Sequence, residues 1–153
     1  PDDDDTTTAW TLDTTGWQVE LGNVATPFEH RSFGEELQLC SRYYQKSYEY
    51  SVSPGATTYF GINGQTGSVA AATTSYLVDE IKFPVRMRDD ATVTVYDSVG
   101  NQGKCTRELP GTATYTNENV AANYPSETGA SLMSVSGTNS AYIYFHYTAE
   151  AEL

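Results

Sequence analysis

Ala141-Tyr142-Ile143-Tyr144-Phe145-His146-Tyr147-Thr148-Ala149 is the stretch on which the fold turns. Ile143, Phe145 and Tyr147 fall on one side of a period of two, and Tyr142, Tyr144 and His146 on the other. A helix would scatter these side chains around its axis, whereas a strand sends alternate residues to opposite faces. The spacing predicts a strand that is aromatic on both faces. A strand buried on one face only carries polar residues on the other. The second face is therefore either a contact with a neighbouring subunit or a row of amphipathic tyrosines with wet hydroxyls. Periodicity alone leaves both open.

The same period recurs upstream. Trp17, Val19 and Leu21 share a face, as do Ile81, Phe83, Val85 and Met87, with Lys82, Arg86 and Arg88 opposite. Val93 and Val95 alternate with Thr92, Thr94 and Tyr96, and Tyr48, Tyr50 and Val52 form a further short run. Turn residues separate the runs: Pro54-Gly55, Asn63-Gly64, Ser98 to Asn101, Pro110-Gly111 and Gly137 to Asn139. Short Thr-, Tyr- and Val-rich strands at this spacing suit an antiparallel sandwich or barrel, and the chain reads as mainly β, an antiparallel β-sandwich with one short helix near its start.

One segment breaks the pattern. Ser32-Phe33-Gly34-Glu35 fits a capping box, in which a Ser hydroxyl and a Glu carboxylate each take an orphan N–H of the first turn. Phe33, Leu37, Cys40 and Tyr44 follow at helical spacing. Glu35 and Glu36 stand at the positive end of the dipole, and Arg42 and Lys46 at the negative end. The spacing predicts one short α-helix over about 33–46 with that face buried and Glu36 and Gln38 wet. Leu37→Ala would then cost about 2–5 kcal/mol, as a core truncation does, and Ser32→Ala about 1 kcal/mol.

Composition limits what the chain can do. Its 153 residues make one domain, expected over 17–153 after an acidic, Thr-rich tail or linker over 1–16. The chain opens on Pro1, so it reads as a fragment or a processed product, and no signal-peptide pattern is present. The formal charge of −12 argues against binding nucleic acid, which needs a Lys/Arg surface. No run is long and apolar enough for a membrane-spanning helix. Asp2 to Asp5 read as a solvated tail, because calcium loops space their ligands and include a turn glycine. Cys40 and Cys105 stand far apart with no CxxC; Cys40, on the apolar helix face, reads as a buried free thiol, and a disulfide would need an oxidising compartment.

A search for catalytic chemistry is empty. Phosphate-binding glycine loops, H-E-x-x-H and G-x-S-x-G are absent from the sequence. His30 has only Glu29 beside it in sequence and reads as a structural group at the helix entry. The acidic pairs Glu35-Glu36, Asp79-Glu80 and Asp89-Asp90 are explained by a helix start and by strand ends. The reading is not an enzyme, with no cofactor and no metal. The surplus lies in aromatics: twelve tyrosines and two tryptophans suit either sugar stacking or subunit contacts. Tyr59 and Tyr124, in turn-rich segments, are the stacking candidates for a glycan.

Residues 22–44, GNVATPFEHRSFGEELQLCSRYY, resemble a segment of structural proteins of tailed bacteriophages, ATPFE-x-R-x-[YF]-x-x-E-L-x-x-C-x-R-Y-Y. Ala25 to Glu29, Arg31, Phe33, Glu36, Leu37, Cys40, Arg42, Tyr43 and Tyr44 match it position by position. The end of the chain, through Ala151-Glu152-Leu153, is similar to the family's last strand. The resemblance implies a jelly-roll-like domain on the virion surface, assembled in the host cytoplasm: a tail fibre, a receptor-binding tip or a capsid decoration protein. It implies a homotrimer, with other virion proteins and a host-surface glycan as further partners. It gives Ser32, Glu35, Leu37, Cys40, Arg42, Tyr43 and Tyr44 a structural role. It also implies that Trp17 to Gly22 closes an upstream module, in related chains a carbohydrate-binding-like sandwich, which is missing or truncated here. Together with the two-faced aromatic strand, it places the expected trimer contact on Tyr142, Tyr144 and His146, joined by Tyr48 and Tyr50. The competing expectation is a secreted, lectin-like carbohydrate-binding module.

Overall fold

The C-terminal alternation becomes the spine of a curled antiparallel sheet. The computed structural model describes residues 14–15, 17–24, 26–28, 30–67, 76–109, 111, 114–134 and 141–151. In chain order its elements are α1 (Phe33–Ser41), β1 (Tyr44–Lys46), β2 (Asn63–Gly67), β3 (Tyr76–Lys82), β4 (Thr92–Tyr96), β5 (Lys104–Leu109), β6 (Thr114–Asn123), β7 (Gly129–Ser134) and β8 (Ala141–Glu150). The strands run β1-β8-β5-β6-β7-β3, and β2 and β4 also pair with β8. The sheet curls into a half-barrel beside one short helix.

Strand β8 is interior along its length. Tyr142 sits between Thr66 and Glu108, Tyr144 between Gly64 and Thr106, Thr148 between Lys46 and Thr94. Its odd-numbered face holds Ile143, Phe145, Tyr147 and Ala149, which pack with Ile81, Met87, Val95, Cys105 and Leu132 in one core. Burying each large side chain there gains about 1.5–3 kcal/mol.

Asn63-Gly64, expected as a turn, lies in β2. Its glycine lets the Tyr144 ring lie across the backbone, and a Cβ there would stand 3.2 Å from that ring. Beyond Lys82 the chain leaves the ladder, yet Phe83 and Met87 stay buried while Lys82, Arg86 and Arg88 stay wet, so the alternation outlasts the strand. Backbone bonds from Phe83 to Thr128 and from Met87 to Glu127 carry this stretch along the β6–β7 turn.

Three expectations are corrected. Helix α1 stops at Ser41 rather than 46, because Tyr44–Lys46 is drawn into the ladder with β8, and Tyr43 accepts a bond from the Ala151 N–H. Trp17 to Leu21 is not a strand; these side chains are exposed, and among the described residues they pair with no strand. Tyr48 to Val52 is a turn, closed by the Lys46 ammonium donating to the Tyr50 and Val52 carbonyls. Residues 1–13 and 16 of the expected tail, and the turn at Gly137 to Asn139, lie outside the described residues.

The capping box forms as read. The Glu35 N–H donates to Ser32 Oγ at 3.3 Å and the Ser32 N–H to Glu35 Oε2 at 2.9 Å, which holds the Glu35 carboxyl below its ordinary range. The helix face behind it is not a core face: α1 has no buried residue, Phe33 is 82% exposed and Cys40 is exposed, while Glu36 and Gln38 are wet as expected. Leu37 is only half-buried. The expected cost of Leu37→Ala in an isolated chain accordingly falls to about 1 kcal/mol or less. Chemical denaturation of a dilute sample checks it, and a loss above about 2 kcal/mol would restore the core reading.

Candidate functional site

The His146 end of the even-numbered face of β8 is covered by the chain itself. Residues 47–62 fold over it, with the Thr58 N–H bound to the Ser98 carbonyl. The His146 ring is 0% exposed and stacks on Tyr48 at 4.0 Å between centroids, 13° from parallel. Its Nε2 lies 3.1 Å from the Thr58 carbonyl, which only accepts, so Nε2 carries the proton. Nδ1 is then the acceptor for the Ser47 hydroxyl at 3.0 Å, and Ser47 Oγ in turn accepts the Tyr147 N–H at 2.9 Å. Every partner in this relay is used, and the ring is held as one neutral tautomer.

This corrects the expected subunit contact. His146 and Tyr48 (3% exposed) lie inside the chain and offer no surface to a second copy. The two-faced aromatic strand finds its second layer in residues 47–62. Of the five residues, Tyr50 and Tyr142 are exposed and Tyr144 is half-buried.

Burial pushes the His146 pKa below its ordinary value, and the bond to the Thr58 carbonyl pulls it only part of the way back. The unfolded chain therefore protonates first. The stabilisation from neutral His146 is whole above about pH 6.5 and is lost as pH falls below that value. Urea midpoints between pH 7.5 and 5.5 should fall in the wild type, and His146→Gln should flatten that part of the slope. An unchanged slope in the variant would remove His146 as the cause.

A second grouping lies on the open part of the same face. Glu108 pairs with Tyr115 on β6 and with Tyr142 on β8, so the three cross the sheet in one row. The Tyr144 hydroxyl donates to Glu108 Oε2 at 3.0 Å, and that bond is the main cause of its raised pKa. Tyr59 stands edge-on to Tyr144, with centroids 6.5 Å apart, and is half in water. Tyr124, the other stacking candidate, stands exposed in the β6–β7 connection at φ 53°. The structure thus attaches Tyr59 to an aromatic row and leaves Tyr124 in a separate turn. Glu108 and Tyr115 were missed in the sequence, where only pairing register would bring them to Tyr142.

No family model, curated protein or solved structure matches the chain. The resemblance at 22–44 therefore stands on its own residues, of which Ala25 and Glu29 lie outside the described ones. Ser32 and Glu35 cap α1, Arg42 ends it, and Tyr43 lies under the Arg88 guanidinium at 5.6 Å. Leu37, Cys40 and Tyr44 line an apolar groove of about 370 Å³ between α1, β1 and Pro84.

Cys40 opens into this groove, which corrects its reading as a buried thiol; the buried cysteine is Cys105. Both are free, and burial, reinforced by Glu118 and Asp97, pushes the Cys105 thiol up to about 12. His30 is exposed, edge-on to Phe28 with centroids 4.9 Å apart. Among the described residues no group of three or more His, Cys, Asp or Glu could hold a metal ion, and no helix is long and apolar enough to cross a membrane.

Proposed function

We propose that this chain is a non-catalytic structural domain of a bacteriophage virion surface, part of a tail fibre, receptor-binding appendage or capsid decoration, and that it works as a homotrimer. The observation that carries the reading is the unburied apolar surface of its N-terminal segment. Trp17, Val19, Leu21, Val24 and Phe33 are all largely in water, whereas the strands bury a single apolar core. Scattered exposed apolar residues need no explanation, but a run of them on one segment marks an interaction surface. Val24 and Phe33 belong to the phage-like stretch and Trp17, Val19 and Leu21 lie just before it, and this nearness supports the reading. The sandwich, or jelly roll, belongs to this proposal as well: a second layer facing the half-barrel would come with assembly.

Light scattering on the purified chain tests the reading. A mass three times 16.7 kDa at micromolar concentration is the expected result. A monomer at every concentration would overturn it. Antibody labelling of phage particles then distinguishes tail from capsid.

The row of Tyr142, Glu108 and Tyr115 favours a second reading, a carbohydrate-binding module, because ring faces beside a carboxylate acceptor suit a sugar's apolar face and hydroxyl rim. Binding on a glycan array that is lost in Tyr142→Ala would favour it.

A further inference from the structure

The open part of the β8 face sets a carboxylate among rings. Glu108 on β5 stands opposite Tyr115 on β6 and Tyr142 on β8. Residues so paired project to the same side, with Cβ atoms about 5 Å apart. Tyr115 is 53% exposed and Tyr142 40%. Glu108, between them, is half-buried. Its Oε2 accepts the Tyr144 hydroxyl at 3.0 Å, which fixes the carboxylate in place. Its Oε1 takes no bond from the described residues and is open to solvent. Among the described residues no Lys or Arg pairs with Glu108.

Such a row selects its ligand twice. The tyrosine faces suit the apolar C–H face of a pyranose, and, being electron-rich, they also attract a cation. The carboxylate only accepts, so it calls for a donor. A sugar hydroxyl donates, but an ammonium brings the opposite charge as well, and charge-assisted hydrogen bonds are the stronger kind. The chain as a whole favours the same choice. Its formal charge of −12 repels a glycan that carries phosphate, sulfate or carboxylate groups and attracts a cationic one. Asn117, exposed and two residues along β6 from Tyr115, adds an amide on the same face that can donate to and accept from sugar hydroxyls.

We propose that this row binds a glycan through an amino sugar whose nitrogen is not acylated, with the pyranose stacked on Tyr142 and its ammonium on Glu108 Oε1. The proposal rests on the carbohydrate-binding reading above and names the ligand class. Tyr142 and Tyr115 lie two strand spacings apart, about 10 Å, so the next sugar of the same glycan has Tyr115 as its platform.

Calorimetric titration with a glucosamine oligomer and with the N-acetylglucosamine oligomer of the same length tests it, at about pH 6, where an amine carries its proton. Acetylation removes the charge from the ligand, keeps the ring and leaves the protein untouched. The wild type should bind the glucosamine oligomer at least about tenfold more tightly, the ratio one charge-assisted hydrogen bond supplies. Glu108→Gln keeps the side chain's shape and should bring that ratio to about one. Tyr142→Ala should weaken both ligands about tenfold, as loss of an aromatic anchor does. A glucosamine oligomer held as tightly by either variant as by the wild type is gathered by the overall acidity of the chain, and overturns the proposal. Two oligomers bound equally by the wild type, or the acetylated one bound more tightly, overturn the ammonium contact and leave the carbohydrate reading standing. Binding of neither oligomer overturns the proposal, and a glycan array empty as well overturns the carbohydrate reading with it.

Discussion

Phe145→Ala is expected to lower the unfolding free energy by about 3–5 kcal/mol, the range for truncating a buried aromatic side chain. Phe145 is 1% exposed at the middle of β8, where the strand passes from its β2 and β5 neighbours to β1 and β4. A cavity there sits in the only strand that pairs with four others among those described, so the surrounding ladder restricts collapse into it. Domains of this size are stable by about 5–15 kcal/mol, which brings the variant close to its unfolding threshold. Tyr142→Ala, three residues earlier and on the exposed face, should cost about 1 kcal/mol or less. Urea denaturation with an unchanged m-value checks the pair. Equal losses would mean that the two faces of β8 are wrongly assigned.

That contrast also shows what the sequence could and could not reveal. Ile143, Phe145 and Tyr147 declare an inward face, because burial on a strand selects every second residue. Ser32 and Glu35 declare the helix start, because a cap is a local bonding pattern. Strands β5, β6 and β7 gave no such signal. Their sequences, KCTREL, TYTNENVAAN and GASLMS, mix Thr, Asn, Ala and Ser, which suit strand and turn alike and carry little apolar contrast. The helix end was misplaced for a related reason. Tyr44 continues the apolar spacing of Phe33, Leu37 and Cys40, but pairing with β8 outweighs one further helical turn.

The site was less legible than the fold. His146 lies 99 residues from Ser47 and 88 from Thr58, so the relay that buries it depends on the path of the 47–62 connection. From the strand alone, a second aromatic face called for a neighbour, and an intrachain cover satisfies the pattern as well as a subunit does.

Asp97→Ala is expected to cost about 3–5 kcal/mol, since hydrogen bonds to a charged group are worth about 1.5–3 kcal/mol each and do not add fully. Asp97 is wholly buried at the end of β4. Its Oδ1 accepts the Val99 N–H at 3.0 Å and the Asn101 N–H at 2.8 Å, and its Oδ2 accepts Asn101 Nδ2 at 2.7 Å. The turn so held is also a buttress. Gly100, at φ 92°, packs so closely on the Gly55 carbonyl that a Cβ would overlap it. Ser98 bonds to Thr106 Oγ1, and its carbonyl takes the Thr58 N–H. The Thr58 carbonyl is the acceptor for His146, so loosening the turn should loosen the cover of β8 and admit water to the ring. Amide exchange at Thr58 and Tyr147 should therefore speed up in Asp97→Ala, beyond what the loss of global stability predicts. Asp97→Asn keeps the shape and one acceptor oxygen, and should cost about 1–2 kcal/mol. If alanine costs less than about 1 kcal/mol, or exchange rises no faster than global unfolding allows, the turn does not hold the cover.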